Sequence, residues 1–198
     1  MSHPCYVIRM TIPYPMNEQA RKLVHLVFGV AIAAVILILP REEAIMLFSG
    51  SLLVGLVLAD LVKAGHRVPL VTLLVMHLER EGEFPGKGAI CFVVSSLFCT
   101  VFFPSLVAAT GVLTLAVLDS ASALVGMHYG RKRLNGKKTL EGFLAGVIIN
   151  SLVLLLLIDP VRAFLVSLVA GTVELAIPLD DNLLIPPAAC LCLSLLGA

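Results

Sequence analysis

Between positions 118 and 142 the chain reads LDSASALVGMHYGRKRLNGKKTLEG, an acid inside an apolar run followed by a dense basic loop. The acid is Asp119, the cations are Arg131, Lys132, Arg133, Lys137 and Lys138, and Glu141 and Gly142 open the next apolar run. A carboxylate can hold a divalent metal, and clustered cations can neutralise phosphate oxygens. A phosphate-rich substrate requires both. Ser122, Ala123 and Gly126 follow Asp119 at helical spacing, which puts a narrow, partly polar stripe on one helix face. An ionisable group inside a membrane span costs about 2.5–3.5 kcal/mol at the helix centre, so a compensating cation is expected at Asp119. Mg²⁺ is the expected ion, because nucleotide phosphates usually arrive with it.

The elements that must position these groups are apolar. Of 198 residues, 59% are hydrophobic and 14% are charged, with a mean hydropathy of +1.03. A soluble domain would carry about 25% charged residues. Apolar runs near twenty residues match the length needed to cross a hydrocarbon core. The expected fold is therefore an all-α, polytopic membrane bundle forming one domain over residues 1–198. Seven spans are expected, at about 23–39, 44–62, 89–103, 105–127, 140–158, 161–177 and 183–196, with a short amphipathic piece at 68–78 lying at the interface. Residues 1–20 hold three prolines and no apolar core, so no cleavable signal is expected there. Loops rich in Lys and Arg stay cytoplasmic. An inward N-terminus puts Arg9, Arg21, Lys22, Lys63, Arg67, Arg80, Lys87 and the cations of 131–138 on that side. Only Arg41 and Arg162 of the fourteen basic residues are left outside.

That topology brings polar groups to one face. Arg21, Lys22 and His25 begin the first helix, and Phe84-Pro85-Gly86-Lys87-Gly88 begins the third. Thr139, an expected N-cap, begins the fifth, and Asp180-Asp181-Asn182 begins the seventh. Helix N-termini present free N–H groups and partial positive charge, a seat for phosphate oxygens. Asp60, Asp119 and Glu174 lie toward the same face from even-numbered helices. Other polar residues have plainer readings. Asp60 pairs with Lys63, His66, His77 and His128 are solvated, and Asn150 and Ser151 bond a neighbouring helix. Gly29, Gly55 and Gly146 are read as close-packing positions, and Cys91, Cys99, Cys190 and Cys192 as small hydrophobes rather than zinc ligands.

Five motifs occur in order: Arg21-Lys22-x-x-His25, Phe84-Pro85-Gly86-Lys87-Gly88, Asp119-x-x-Ser122-Ala123-x-x-Gly126, Gly136-Lys137-Lys138-Thr139-Leu140-Glu141-Gly142, and Glu174-x-x-x-Pro178-x-Asp180-Asp181-Asn182-x-x-x-Pro186. Together, over about residues 18–190, they resemble the CTP-dependent lipid kinases (the dolichol kinase, phytol kinase and yeast-type diacylglycerol kinase group), which are similar in turn to CTP:phosphatidate cytidylyltransferases. The resemblance implies Mg²⁺-dependent transfer of the γ-phosphoryl group of CTP to a lipid alcohol at the cytoplasmic membrane face. It implies Asp119 as metal ligand, helped by Asp180 or Asp181, with Arg131, Lys137, Lys138, Thr139, Glu141, Gly142, Gly126 and Lys87 as the nucleotide site. Arg21 and Lys22 would steady the transferring phosphoryl group, and Asp181 or His25 would take the hydroxyl proton.

Two rivals stand beside this reading. A cytidylyltransferase would use the same nucleotide and metal but release pyrophosphate. A lipid-phosphate transporter would also place acids inside spans, yet the charges collect on one face with no counterpart across the membrane. The expected partners are CTP, a lipid alcohol of the polyprenol, phytol-like or diglyceride type, and the bilayer. No nucleic acid is expected, and the sequence is compatible with an oligomer.

Overall fold

The computed structural model describes residues 18–66, 68, 84–136, 138–177 and 180–197. The expectations for Arg9, Arg67, His77, Arg80, Lys137, Pro178 and the amphipathic piece at 68–78 lie outside the described residues, save position 68. Among the described residues the chain folds into seven helices, at or within a few residues of the expected positions. These are α1 (Glu18–Ile38), α2 (Arg41–Lys63), α3 (Lys87–Phe102), α4 (Ser105–Tyr129), α5 (Leu140–Leu154), α6 (Pro160–Ala176) and α7 (Asp181–Leu195). A small antiparallel hairpin, β1 (Arg133–Asn135) and β2 (Lys138–Thr139), interrupts the helices. The hairpin lies within the stretch read as a basic loop. It pairs Arg133 with Thr139 and Asn135 with Lys138, and Gly136 takes the left-handed turn between them at φ +56°.

Local sequence explains where the helices start. Thr139 caps α5 by accepting from the Gly142 N–H, as expected. Asp159 caps α6 ahead of Pro160, which fits the first helical turn because its missing N–H has no intrahelical role there. Asp180 caps α7 through the Asn182 N–H. Gly86 precedes α3 at φ +78°, a conformation closed to most side chains.

Helix α4 is the axis of the molecule. It packs against α1, α3, α5, α6 and α7, whereas α2 leans mainly on α3. Its sequence is rich in Ala, Gly, Ser and Thr, which let neighbouring backbones approach closely where apolar burial alone gives no drive to associate. Thr110 and Thr114 satisfy their hydroxyls on carbonyls four residues back, at 2.7 and 2.8 Å. Helices α1, α2 and α4 are long and apolar enough to cross a membrane, and α3, α5 and α7 are shorter apolar helices. The most apolar stretch of α4 is 78% buried, against 17% in α1 and 11% in α2. Leu23, Val27, Phe28 and Ile38 on α1, with Met46, Leu53, Val54 and Val57 on α2, are exposed. Such an apolar exterior is compatible with a membrane protein.

Neighbouring helices run in alternating directions. At one end of the bundle Gln19 at the start of α1 meets His128 at the end of α4, at 3.1 Å. Asn182 at the start of α7 donates to the Gly88 carbonyl at the start of α3, at 3.1 Å. At the other end Arg41 donates to Thr100 O, and Arg162 to Gly197 O. The starts of α1, α3, α5 and α7 therefore share one end with the finishes of α4 and α6.

Helix α7 carries Pro186 and Pro187 inside its span. Pro186 has no N–H to give the Asn182 carbonyl one turn earlier. Ser95 of α3 supplies the missing donor, at 2.7 Å. One hydroxyl thus repairs the break in α7 and ties two helices together beside the charged end.

Candidate active site

The acids and cations of the shared end converge beside α4. Asp119 is buried, and Lys22 of α1 reaches it with Nζ 2.6 Å from both carboxylate oxygens. Ser120 holds the same turn of α1 by donating to Lys22 O at 3.0 Å. His25 lies one turn further along, its Nε2 3.7 Å from Asp119 Oδ2 and its ring 5.0 Å from that of Phe92. The cation that Asp119 requires is thus supplied by the chain itself. Lys22 sits on Asp119 rather than across a cavity from it.

A second ion group forms beside the first. Lys138, carried inward by β2, donates to the Glu174 carbonyl and contacts Asp181 Oδ1 and Oδ2 at 3.2 and 3.1 Å. It also lies 3.6 Å from Glu174 Oε1. Ser122 joins the two groups, donating to Glu174 Oε1 at 3.0 Å from the turn after Asp119. As a result, Asp119, Glu174 and Asp181 each bring an oxygen within 4.8 Å of the others. Three carboxylates from three helices form a set of hard oxygen donors of the kind Mg²⁺ and Ca²⁺ use.

Glu174 is the member that sequence reasoning left out of the metal set. Its signal was present: a carboxylate inside an apolar helix is costly and needs a local partner. Asp180, assigned to the metal beside Asp181, is turned to other work. Its Oδ1 accepts from Asn182 N at 3.1 Å, and its Oδ2 lies 3.7 Å from Lys87. Adjacent residues at a helix start point about 100° apart, so one carboxylate caps the helix while the next faces inward. Arg21 pairs with Glu18 on its own helix.

Besides Lys138 and Lys87, placed above, the described residues assigned to the nucleotide divide into two sets. Thr139, Gly142 and Gly126 build the crossing of α5 over α4. A Cβ on Gly142 would fall 2.5 Å from Ser122 O, and one on Gly126 would fall 3.0 Å from Thr139 Oγ1. These glycines let two backbones touch directly beneath the hairpin. Gly146 extends the contact, as expected, whereas a Cβ on Gly55 would meet nothing within 4 Å, so Gly55 is open rather than close-packed. The second set is solvent-facing. The Glu141 carboxylate accepts from the backbone N–H groups of Arg131 and Lys132, at 3.0 and 3.2 Å to Oε2, which fixes the path of the basic loop. The Arg131, Lys132 and Arg133 side chains stand exposed around it.

Away from this end, Asn150 bonds the neighbouring helix as expected, donating to Ser167 Oγ at 2.8 Å. Ser151 instead returns to its own helix, at 2.7 Å from Val147 O.

The chain is similar to the uncharacterized protein MJ1137 of Methanocaldococcus jannaschii, with 36% identity over 175 residues that cover 86% of this chain and 90% of the archaeal protein. No protein-family model and no solved structure matches it. At that identity and coverage, the chain belongs to the same protein family as MJ1137.

Proposed function

We propose that the protein is a membrane lipid kinase that transfers the γ-phosphoryl group of CTP to the hydroxyl of a lipid alcohol. One observation carries the reading: Asp119, Glu174 and Asp181 converge between Lys22 and Lys138, at the end of the bundle where the basic hairpin opens. Phosphoryl transfer is mainly a matter of positioning and charge neutralisation, and these residues are the types that perform both. The motif resemblance adds CTP and the lipid alcohol.

The chain spans the membrane seven times, with its N-terminus and the charged end on the cytoplasmic side. The asymmetry of Lys and Arg supports that orientation. Helices as short as 15 residues cover about 23 Å, so α5 and α7 cross where neighbouring helices shield their ends.

Asp119, Glu174 and Asp181 would hold Mg²⁺, which would supply positive charge to neutralise the nucleotide's phosphates. Lys22 and Lys138 turn from the carboxylates to the phosphates as the nucleotide enters, with Arg131 and its neighbours gathering the outer phosphates. The lipid hydroxyl oxygen forms the new bond to γ-phosphorus as the bond to the β–γ bridging oxygen breaks. His25 or Asp181 accepts the hydroxyl proton, and CDP leaves.

The test is a label-transfer screen of purified protein in detergent, with γ-labelled CTP and ATP against a panel of lipid alcohols. Labelled lipid monophosphate with CDP is the expected product. Pyrophosphate with a CDP-linked lipid would identify a cytidylyltransferase instead, and no nucleotide-dependent product on any lipid would overturn the enzyme reading.

A further inference from the structure

The end of α4 carries a feature that, Arg131 apart, the phosphate chemistry does not use. An open depression of about 410 Å³ is lined by His128, Tyr129, Gly130, Arg131 and Glu141. Tyr129 is 72% exposed, so its ring is available to a ligand. The neighbouring His128 is held in place, with Nδ1 2.9 Å from Leu124 O and Nε2 3.1 Å from Gln19 Nε2. The two rings lie 6.3 Å apart at the rim. Glu141 also lines it. A carboxylate offers about four acceptor positions. The N–H groups of Arg131 and Lys132 take only part of that capacity.

Position along α4 connects this depression to the carboxylates. Tyr129 follows Asp119 by ten residues of continuous helix, a rise of about 15 Å. That is on the scale of an extended nucleoside triphosphate, with Arg131 at the depression and Lys138 at the carboxylates. Resting on the nucleotide reading above, we infer that the Tyr129–Glu141 depression is the base subsite of the donor nucleotide, with Tyr129 stacking on the ring and Glu141 accepting from an exocyclic amino group. A flat heteroaromatic base suits an exposed aromatic face. A carboxylate acceptor favours the amino-bearing bases cytosine and adenine over uracil, which presents a carbonyl at that edge. Tyr129 and Glu141 are twelve positions apart, and no motif spans them, so the pairing emerges only when α5 crosses α4.

The experiment compares Mg²⁺-supported binding of CTP, UTP and inorganic tripolyphosphate to purified protein and its variants. Tyr129→Leu should weaken both nucleotides by about tenfold, the loss of one base–aromatic stack, and leave tripolyphosphate unchanged. Tyr129→Phe should retain nucleotide binding, because the ring face is kept. Glu141→Gln should narrow the preference for CTP over UTP, read as the ratio of the two affinities. Equal losses for CTP and tripolyphosphate in Tyr129→Leu, or no loss for either, would overturn the subsite while leaving the nucleotide reading in place. If the wild-type protein bound tripolyphosphate but neither nucleotide, the base subsite would also be excluded. Failure of all three anions to bind wild-type protein would overturn the nucleotide reading itself.

Discussion

Lys22 and Asp119 are 97 positions apart and meet through two hydrogen bonds of 2.6 Å. Both are largely withdrawn from water, with side-chain exposures of 12% and 8%. Removing one member of such a pair leaves an uncompensated charge in a low-dielectric site, which costs about 3–5 kcal/mol. Lys22→Met should therefore lower the thermal unfolding midpoint in detergent sharply. The double variant Lys22→Met, Asp119→Asn should recover most of that loss, because the orphaned charge goes with its partner. A double variant no more stable than Lys22→Met would show that Asp119 is not the charge Lys22 holds. On the proposed mechanism, Asp119→Asn alone inserts and folds with a lowered midpoint, as Lys22→Met does, and turns over no substrate. Sequence reasoning recognised that Asp119 needs a cation and named Mg²⁺, without finding Lys22. Helix spacing gives the stripe on α4, whereas the partner depends on how α1 is rotated against it. The same limit separated Asp180 from Glu174: composition shows an acid, and only the helix phase shows where it points.

At the scale of elements, the site depends on how closely α5 crosses α4. Gly142→Ala would place a methyl group 2.5 Å from Ser122 O, so the helices must part or the backbone must shift. Overpacking of this kind typically costs about 1–3 kcal/mol. Parting the helices also pulls on the Thr139 cap and on Lys138 next to it, so stability and nucleotide binding should fall together. Gly55→Ala in α2 is the matched control. Nothing lies within 4 Å of its Cβ position, so the change should be neutral or slightly stabilising. Comparing unfolding midpoints of the two variants checks both expectations. Equal effects would mean that the α4–α5 contact yields easily. Helix positions were legible because the breaks fall at Pro40, Pro104 and Pro160 and at the capping residues Thr139, Asp159 and Asp180. Which helix lies at the centre was harder to read. All the helices are apolar, so hydropathy cannot rank them, and the clue was the density of small residues in α4. The hairpin was hidden because two or three residues of strand leave no usable alternation.

For the whole molecule, the decisive asymmetry is in charge. One end carries Lys22, Lys87, Arg131, Lys132, Arg133 and Lys138 with their acids, while the other carries Arg41, Glu42, Glu43, Asp159 and Arg162. Lys and Arg near span ends favour the cytoplasmic side, and the excess belongs to the end that holds the hairpin. Nucleotides are also cytoplasmic, so orientation and proposed chemistry point the same way for independent reasons. Single cysteines in an otherwise cysteine-free chain test this directly. Asn135 is exposed on the hairpin, its side chain donating to Leu175 O at 3.0 Å, and Arg162 is half-exposed at the opposite end. In intact cells, Asn135→Cys should resist a membrane-impermeant maleimide and react only after permeabilisation, while Arg162→Cys should react at once. The reverse pattern would turn the protein over and separate the carboxylate cluster from its nucleotide. Protection of both positions from outside would mean that the helices do not carry the chain across the membrane in the proposed order, and the seven-span reading would fall with it.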